Sequence, residues 1–288
     1  MSKDALRLSL VIPVFNEAHH ILACLKAVES QTCMPFEVIV VDNNCTDNTV
    51  ELAQAFSFVR IITENRQGRG WARSAGFDAA RGEIIGRIDA DSVIAIDWVQ
   101  RVLFHFTNHP DVYGITGLAK TAIVPRIKSF KSTLFPRAYF WFVHASFRTI
   151  TMWGANMAVR RSGWLQVRTE VCNDDAIVHE DQDISMEFAA LGLKLVQDNV
   201  LLICTEGQSY NYLPKMVHYL MLERSTLKRH RDKGTYSSNV FRRLGIVSVL
   251  PGVLYTVFPG IFLGVTSVVL WPLDRLMIAL GKKKTWLD

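Results

Sequence analysis

An α/β fold built on a parallel sheet is predicted by two features of the first 90 residues. Short apolar runs rich in β-branched residues alternate with segments of helical apolar spacing. The runs are also apolar throughout rather than at every second position, as strands buried on both faces are. A third feature, Asp89-Ala90-Asp91 at the end of one such run, marks where the chemistry belongs, because ligands of open parallel sheets bind beyond the carboxyl ends of the strands.

Taken in order, Leu8 to Phe15 is the first strand and ends in Asn16-Glu17. Ala18 to Gln31 carries Ile21, Leu22, Leu25 and Val28 at helical spacing. Val38 to Asp42 is the second strand. The turn Asn43 to Thr49 offers Thr46 or Asp47 as N-cap of the next helix. Val59 to Thr63 is the third strand, Gly68 to Ala80 a helix closed by Arg81-Gly82, and Ile84 to Asp89 the fourth strand. Asn16, Asp42, Asp89 and Asp91 all fall at carboxyl ends and should converge on one crevice. Trp153 to Arg161 reads as a loop entering a strand. His179-Glu180-Asp181-Gln182-Asp183 opens a helix that runs from Ile184 to Leu191 and closes at Gly192, with acids at the positive end of its dipole.

Two carboxylates one residue apart at a strand end can hold a hard divalent cation. Mg²⁺ and Mn²⁺ take oxygen ligands and commonly share them between one or two carboxylates and substrate phosphates. The motif therefore predicts a metal bridging protein to a diphosphate, with Asp91 and Asp89 as ligands.

The 288 residues suffice for one large domain or one domain with an appendage, and 49% hydrophobic against 20% charged residues excludes global disorder. Charge is unevenly placed. The first 199 residues carry 20 basic and 22 acidic side chains, whereas the remainder carries 12 and 5. A basic, apolar C-terminal end points to membrane phospholipid as a partner, and no basic–aromatic pattern suited to nucleic acid is present. Five scattered cysteines without a C-x-x-C pair fit a reducing compartment. The N-terminus lacks a signal-peptide pattern, so a cytosolic catalytic part is expected. The stretch from Lys120 to Thr151 mixes basic and aromatic residues, either as an amphipathic helix on the core or as an acceptor-facing surface near a membrane.

Leu244 to Leu273 has no charged residue and exceeds the roughly 20 residues that span a bilayer. Pro251 and Pro259 interrupt it, and basic residues flank both ends, Arg242 and Arg243 before and Lys282 to Lys284 after. If basic flanks stay inside, a kinked hairpin in the inner leaflet, or two short spans, satisfies them better than one tilted span. A buried helix of a soluble domain is the remaining reading. The expected domains are a catalytic domain over 1–210, basic amphipathic connecting helices over 211–243, and a membrane-associated hairpin or transmembrane segment over 244–288. The expected location is the inner membrane, with the catalytic domain on its cytoplasmic side.

Five pieces, in order, resemble the family-2 glycosyltransferases, inverting nucleotide-sugar enzymes with the GT-A fold. They are Val11 to Glu17, Val40 to Thr49, Asn65 to Gly76, Ile88 to Asp91, and Gly154-Ala155-Asn156 followed by Glu180-Asp181. The likeness covers roughly Leu8 to Gly207 and implies a mixed, mainly parallel central sheet, with hydrophobic helical segments appended at the C-terminus. Asn44-Cys45 stands where Gly-Ser is more usual, which should stiffen that turn. The Gln-x-x-Arg-Trp motif of processive synthases is missing, and Glu223-Arg224-Ser225-Thr226 lies near its place, favouring addition of one sugar per encounter.

The resemblance implies roles. The backbone of Pro13, Val14, Phe15, Asn16 and Glu17 would line the nucleotide-base pocket, and Asp42 would accept from base or ribose. Arg73 would face the diphosphate. Asp89 would contact ribose or a metal water, Asp91 the metal, Mg²⁺ or Mn²⁺. Trp153, Gly154 and Asn156 would shape the acceptor pocket. Inversion needs one base beside the acceptor hydroxyl; Asp181 is expected in that role, with Glu180 as the second choice. The donor is a nucleoside-diphosphate sugar and the acceptor is lipid-linked or a cell-envelope glycan. Two alternatives stand beside this: a polyprenyl-phosphate sugar synthase, whose phosphate acceptor needs no base, and a silent membrane-anchored scaffold of the same fold.

Overall fold

A computed structural model of the chain describes residues 5–122, 131–132, 149–205 and 212–235. Most of the basic–aromatic stretch Lys120–Thr151 and all of Leu244–Leu273 lie outside them. The strands are β1 (Leu8–Val14), β2 (Glu37–Asp42), β3 (Val59–Thr63), β4 (Ile84–Ile88), β5 (Ser92–Ile94), β6 (Val112–Ala122), β7 (Lys131–Ser132), β8 (Asn156–Arg160) and β9 (Lys194–Thr205). The helices are α1 (Ile21–Glu29), α2 (Thr49–Gln54), α3 (Arg69–Ala79), α4 (Trp98–Asn108), α5 (Arg161–Val167), α6 (Glu180–Ala190) and α7 (Tyr212–Asp232).

The strands form one sheet in the order β3-β2-β1-β4-β8-β6-β9-β5, with β7 on β6. The first four are parallel, as their continuous apolar runs require. Beyond β4 the sheet is mixed. β8 runs antiparallel to both β4 and β6, β5 is antiparallel to β9, and β6 pairs with β9 in parallel. The sheet is mixed as expected, with its parallel pairs concentrated in β3-β2-β1-β4 and one more between β6 and β9.

Successive residues of β1 face opposite layers. Leu8, Leu10, Ile12 and Val14 pack with Ile21, Leu25 and Val28 of α1 and Trp98, Val102 and Phe106 of α4. Val11 joins Ile39, Val41 and Ile85 under Phe77 of α3, Trp164 of α5 and Phe188 of α6. Gly76 lets α3 settle on this face, because a Cβ there would lie 2.3 Å from Val11 Cγ1 and 2.9 Å from Val41 Cγ2. Arg87 occurs in the middle of β4, two residues after Ile85, and is buried like its strand neighbours.

The helix after β2 starts at Thr49 with Asn48 as N-cap, not Thr46 or Asp47. Asp47 nonetheless serves its first turn: Oδ1 accepts from Thr49 N at 3.0 Å and Thr49 Oγ1 at 2.5 Å. Among the described residues, no helix is long and apolar enough to cross a membrane.

Candidate active site

The loops leaving β1 and β2 are sewn together by Asn16. This residue takes the left-handed conformation, φ 55°. Its Oδ1 accepts from Thr46 N at 2.8 Å and Thr46 Oγ1 at 3.3 Å. Glu17 N donates to Thr49 Oγ1 at 2.8 Å. The Asn16 Oδ1 is therefore committed to loop geometry, its backbone N donates to Cys45 Sγ at 3.4 Å, and Phe15 beside it is half-exposed. Asp42 Oδ1 accepts from Cys45 N at 2.9 Å and closes the second loop. Asn44 adopts φ 68°, a conformation glycine takes without cost, and its amide bonds Asn65 O and Gln67 Oε1, each at 3.1 Å.

Asn43 does more than either neighbour, although sequence pattern does not single it out. Its buried Nδ2 donates to Glu64 O and Arg66 O at 2.8 Å, and its Oδ1 accepts from Gly68 N at 2.9 Å. It thereby fixes the third loop.

Asp89 and Asp91 stand just past β4. Asp91 is partly buried, and that burial, reinforced by the charges of Asp89 and Glu17, pushes its carboxyl up to about 6. Asp89 and Asp91, two carboxylates one residue apart past the end of β4, offer the oxygen donors that a hard divalent cation takes. Asp89 is 42% exposed at its side chain, and its Oδ1 accepts from Arg87 Nη2 at 3.2 Å.

Arg87 is the centre of the site and was missed from sequence. Its Nη1 donates to Glu180 Oε1 and Oε2 at 3.0 Å and to Asp181 Oδ1 at 3.2 Å. Burial works against its charge, but Glu180, Asp89 and Asp181 together hold it protonated. A charge inside the otherwise apolar run Ile84-Ile85-Gly86-Arg87-Ile88 is the sequence signal, since a buried cation demands partners.

Asp181 enters on the first turn of α6. Its Oδ2 accepts from Gly154 N at 2.9 Å, so both carboxylate oxygens are held. Gly154 must be glycine here: a Cβ would lie 2.6 Å from Arg87 Cζ and from Asp181 Oδ1. Burial and the adjacent Glu180 charge raise the Asp181 carboxyl well above the usual carboxylate range, with Arg87 opposing them. For Glu180, Arg87 and Arg73 outweigh burial and keep it ionised.

Three expected assignments are corrected by placement. Arg73 is fully buried, and its Nη1 donates to Glu180 Oε2 at 2.7 Å and Glu180 O at 2.9 Å. It neutralises an internal carboxylate rather than facing a diphosphate. Glu180, locked between Arg73 and Arg87 and 2% exposed, is a structural ion and not a second base. Asn156 is fully buried; its Nδ2 donates to Leu118 O and Leu201 O, and its Oδ1 accepts from Trp98 Nε1 at 2.8 Å. It joins strands instead of shaping a pocket. Trp153 is partly buried, its backbone N donating to Thr116 Oγ1 at 2.9 Å.

A second cluster lies behind α6, where ligand atoms of Asp183, Glu187 and His230 fall within 4.8 Å of one another. Arg229 Nε is 3.2 Å from Asp183 Oδ1 and Lys233 Nζ 2.5 Å from Glu187 Oε1. These cations already balance the carboxylates, so the cluster is a latch between α6 and α7. It is reinforced by Asp183 Oδ2 accepting from Cys172 N at 2.7 Å.

Residues 9–164 match the family model described as glycosyl transferase family 2. The chain belongs to glycosyl transferase family 2. Its relatives in that family include glycosyltransferase AglE of Haloferax volcanii, 39% identical over 100 residues, which cover 32% of this chain and 33% of AglE. The glucosyl-dolichyl phosphate glucuronosyltransferase of the same organism is 23% identical over 156 residues, 50% of this chain and 48% of that protein. The matches thus span a third to a half of these relatives' lengths. Among solved structures, the mannosyltransferase PcManGT of Pyrobaculum calidifontis, in complex with GDP-Man and Mn²⁺, aligns with TM-score 0.63 at 19% identity. That alignment covers 84% of this chain and 68% of that one. It places the family-2 chain in the GT-A-like α/β fold.

Proposed function

We propose that this family-2 chain is an inverting, non-processive glycosyltransferase that moves one sugar from a nucleoside-diphosphate sugar to a lipid-linked or cell-envelope acceptor. The observation that carries the reading is the placement of a raised, anchored carboxylate, Asp181, one guanidinium away from Asp89 of the D-x-D motif.

Donor and acceptor roles divide across Arg87. On the donor side, the backbone of Pro13 to Glu17 and the Asp42 carboxylate would receive the nucleoside, and Asp91 and Asp89 would hold Mg²⁺ or Mn²⁺. When bound there, the cation offsets charge on the departing diphosphate. On the acceptor side, Asp181 takes the proton of the acceptor hydroxyl as its oxygen attacks the anomeric carbon. The held geometry suits this role: Gly154 N and Arg87 orient the carboxylate, and its raised basicity matches proton abstraction near neutral pH. Trp153, next to Gly154, would border the acceptor.

The lipid-linked acceptor is supported by the likeness to a glucosyl-dolichyl phosphate glucuronosyltransferase and by the uncharged stretch Leu244–Leu273 with its basic flanks. The same features support membrane phospholipid as a partner and residence at the inner membrane, catalytic domain towards the cytoplasm. Incubating the purified protein with a panel of nucleotide sugars, with Mn²⁺ and then with EDTA, tests the reading. It expects consumption of one donor that stops in EDTA; no turnover of any nucleotide sugar, or full turnover in EDTA, contradicts it.

A further inference from the structure

Arg87 has more partners than charge balance requires. Glu180 is already neutralised by Arg73 at 2.7 Å, yet Arg87 also spends Nη1 on Glu180 and Asp181, and turns Nη2 outward to Asp89 Oδ1 at 3.2 Å. Its side chain is 3% exposed and closed in by Gly154. A planar fork can reach two carboxylates at once, whereas an ammonium acts as a point charge.

We propose that Arg87 is a positioning residue that couples Asp89, on the metal-binding side, to Asp181, on the acceptor side, through one rigid guanidinium. This rests on the proposed roles of Asp89 and Asp181. The coupling has a definite sign. Arg87 and a divalent cation compete for Asp89. Whatever draws Arg87 towards Asp181 releases Asp89 to the metal, and whatever removes Asp181 as a partner commits Arg87 to Asp89. Loading of the donor side therefore tightens the hold on Asp181, and an intact Asp181 favours loading of the donor side.

The test is a double-mutant cycle in the full-length chain, read as Mn²⁺ affinity from the free-Mn²⁺ electron paramagnetic resonance signal, with no sugar present. The four proteins are wild type, Asp181→Asn, Arg87→Gln and the double variant. Asp181→Asn should weaken Mn²⁺ binding, and Arg87→Gln, which removes the competing cation, should strengthen it. The loss caused by Asp181→Asn should be about threefold or more larger with Arg87 present than in the Arg87→Gln background, a coupling within the usual range for residues sharing partners. Any direct effect of removing the Asp181 charge is common to both backgrounds and cancels. Equal losses in both backgrounds overturn the proposal. Should Arg87→Gln not fold, Arg87→Lys keeps the charge but not the fork, and the excess loss should vanish there too. If Asp181→Asn leaves Mn²⁺ affinity unchanged in the wild-type background, the proposal also fails. A wrong base assignment shows separately, as full turnover in Asp181→Asn.

Discussion

Asp181 stands at the balance point of two influences, burial beside Glu180 raising its carboxyl and Arg87 restraining it. A general base works only when deprotonated, so activity should rise with pH through an acidic limb displaced upward from the ordinary carboxylate range. A kcat/KM profile with that limb near pH 4 would contradict the assignment. Asp91 makes a complementary prediction. With its carboxyl pushed up to about 6, protons compete with the cation below that pH. Mn²⁺ affinity should then fall by about tenfold per unit as pH drops below about 6, and the dependence should flatten in Asp91→Ala, whose residual Mn²⁺ binding should be weak. Isothermal titration across pH 5 to 8 measures both.

At the scale of elements, the site is held by what lies beneath it. The α6 helix carrying Asp181 is latched to α7 through Asp183, Glu187, Arg229, His230 and Lys233. Removing Asp183, whose side chain is fully buried, takes a partner from each of Arg229, His230 and Cys172 N. Asp183→Ala should cost about 3 kcal/mol or more, as loss of one partner from a buried ionic network does, and a denaturant titration would show it. Gly76→Ala should cost about 1–3 kcal/mol by forcing α3 off Val11 and Val41; unchanged stability would mean the helix can shift freely. The strands β1 to β4 and their helices could be read from composition because a fully buried strand is uniformly apolar. Asp42, Asp89, Asp91 and Asp181 lie at strand and helix ends, as their sequence positions predict. Arg87 and Asn43 were not legible in this way, because their importance lies in partners far along the chain: Arg87 meets Glu180 and Asp181 93 and 94 residues away. Arg73 misled for the same reason, since its partner Glu180 lies 107 residues along the chain.

For the whole molecule, the turn from parallel to mixed sheet after β4 was not legible from local pattern. β8 returns antiparallel between β4 and β6, which only long-range pairing decides. The C-terminal portion is basic and carries the uncharged stretch Leu244–Leu273. Truncation after Arg243 keeps α7 and its latch, so the shortened protein should bind nucleotide as the full chain does while losing sedimentation with anionic vesicles. Full-length protein that stays out of the membrane fraction without detergent would contradict the membrane reading. The proposed division of one crevice into a metal-holding donor side and an Asp181 acceptor side stands or falls with Asp181→Asn. Measured with the nucleotide sugar that the panel identifies, donor affinity at saturating Mn²⁺ should stay nearly intact. The turnover number should fall by about two to four orders of magnitude. Turnover close to wild type would remove Asp181 as the base, and a collapse of donor affinity equal to the loss of turnover would place it on the donor side.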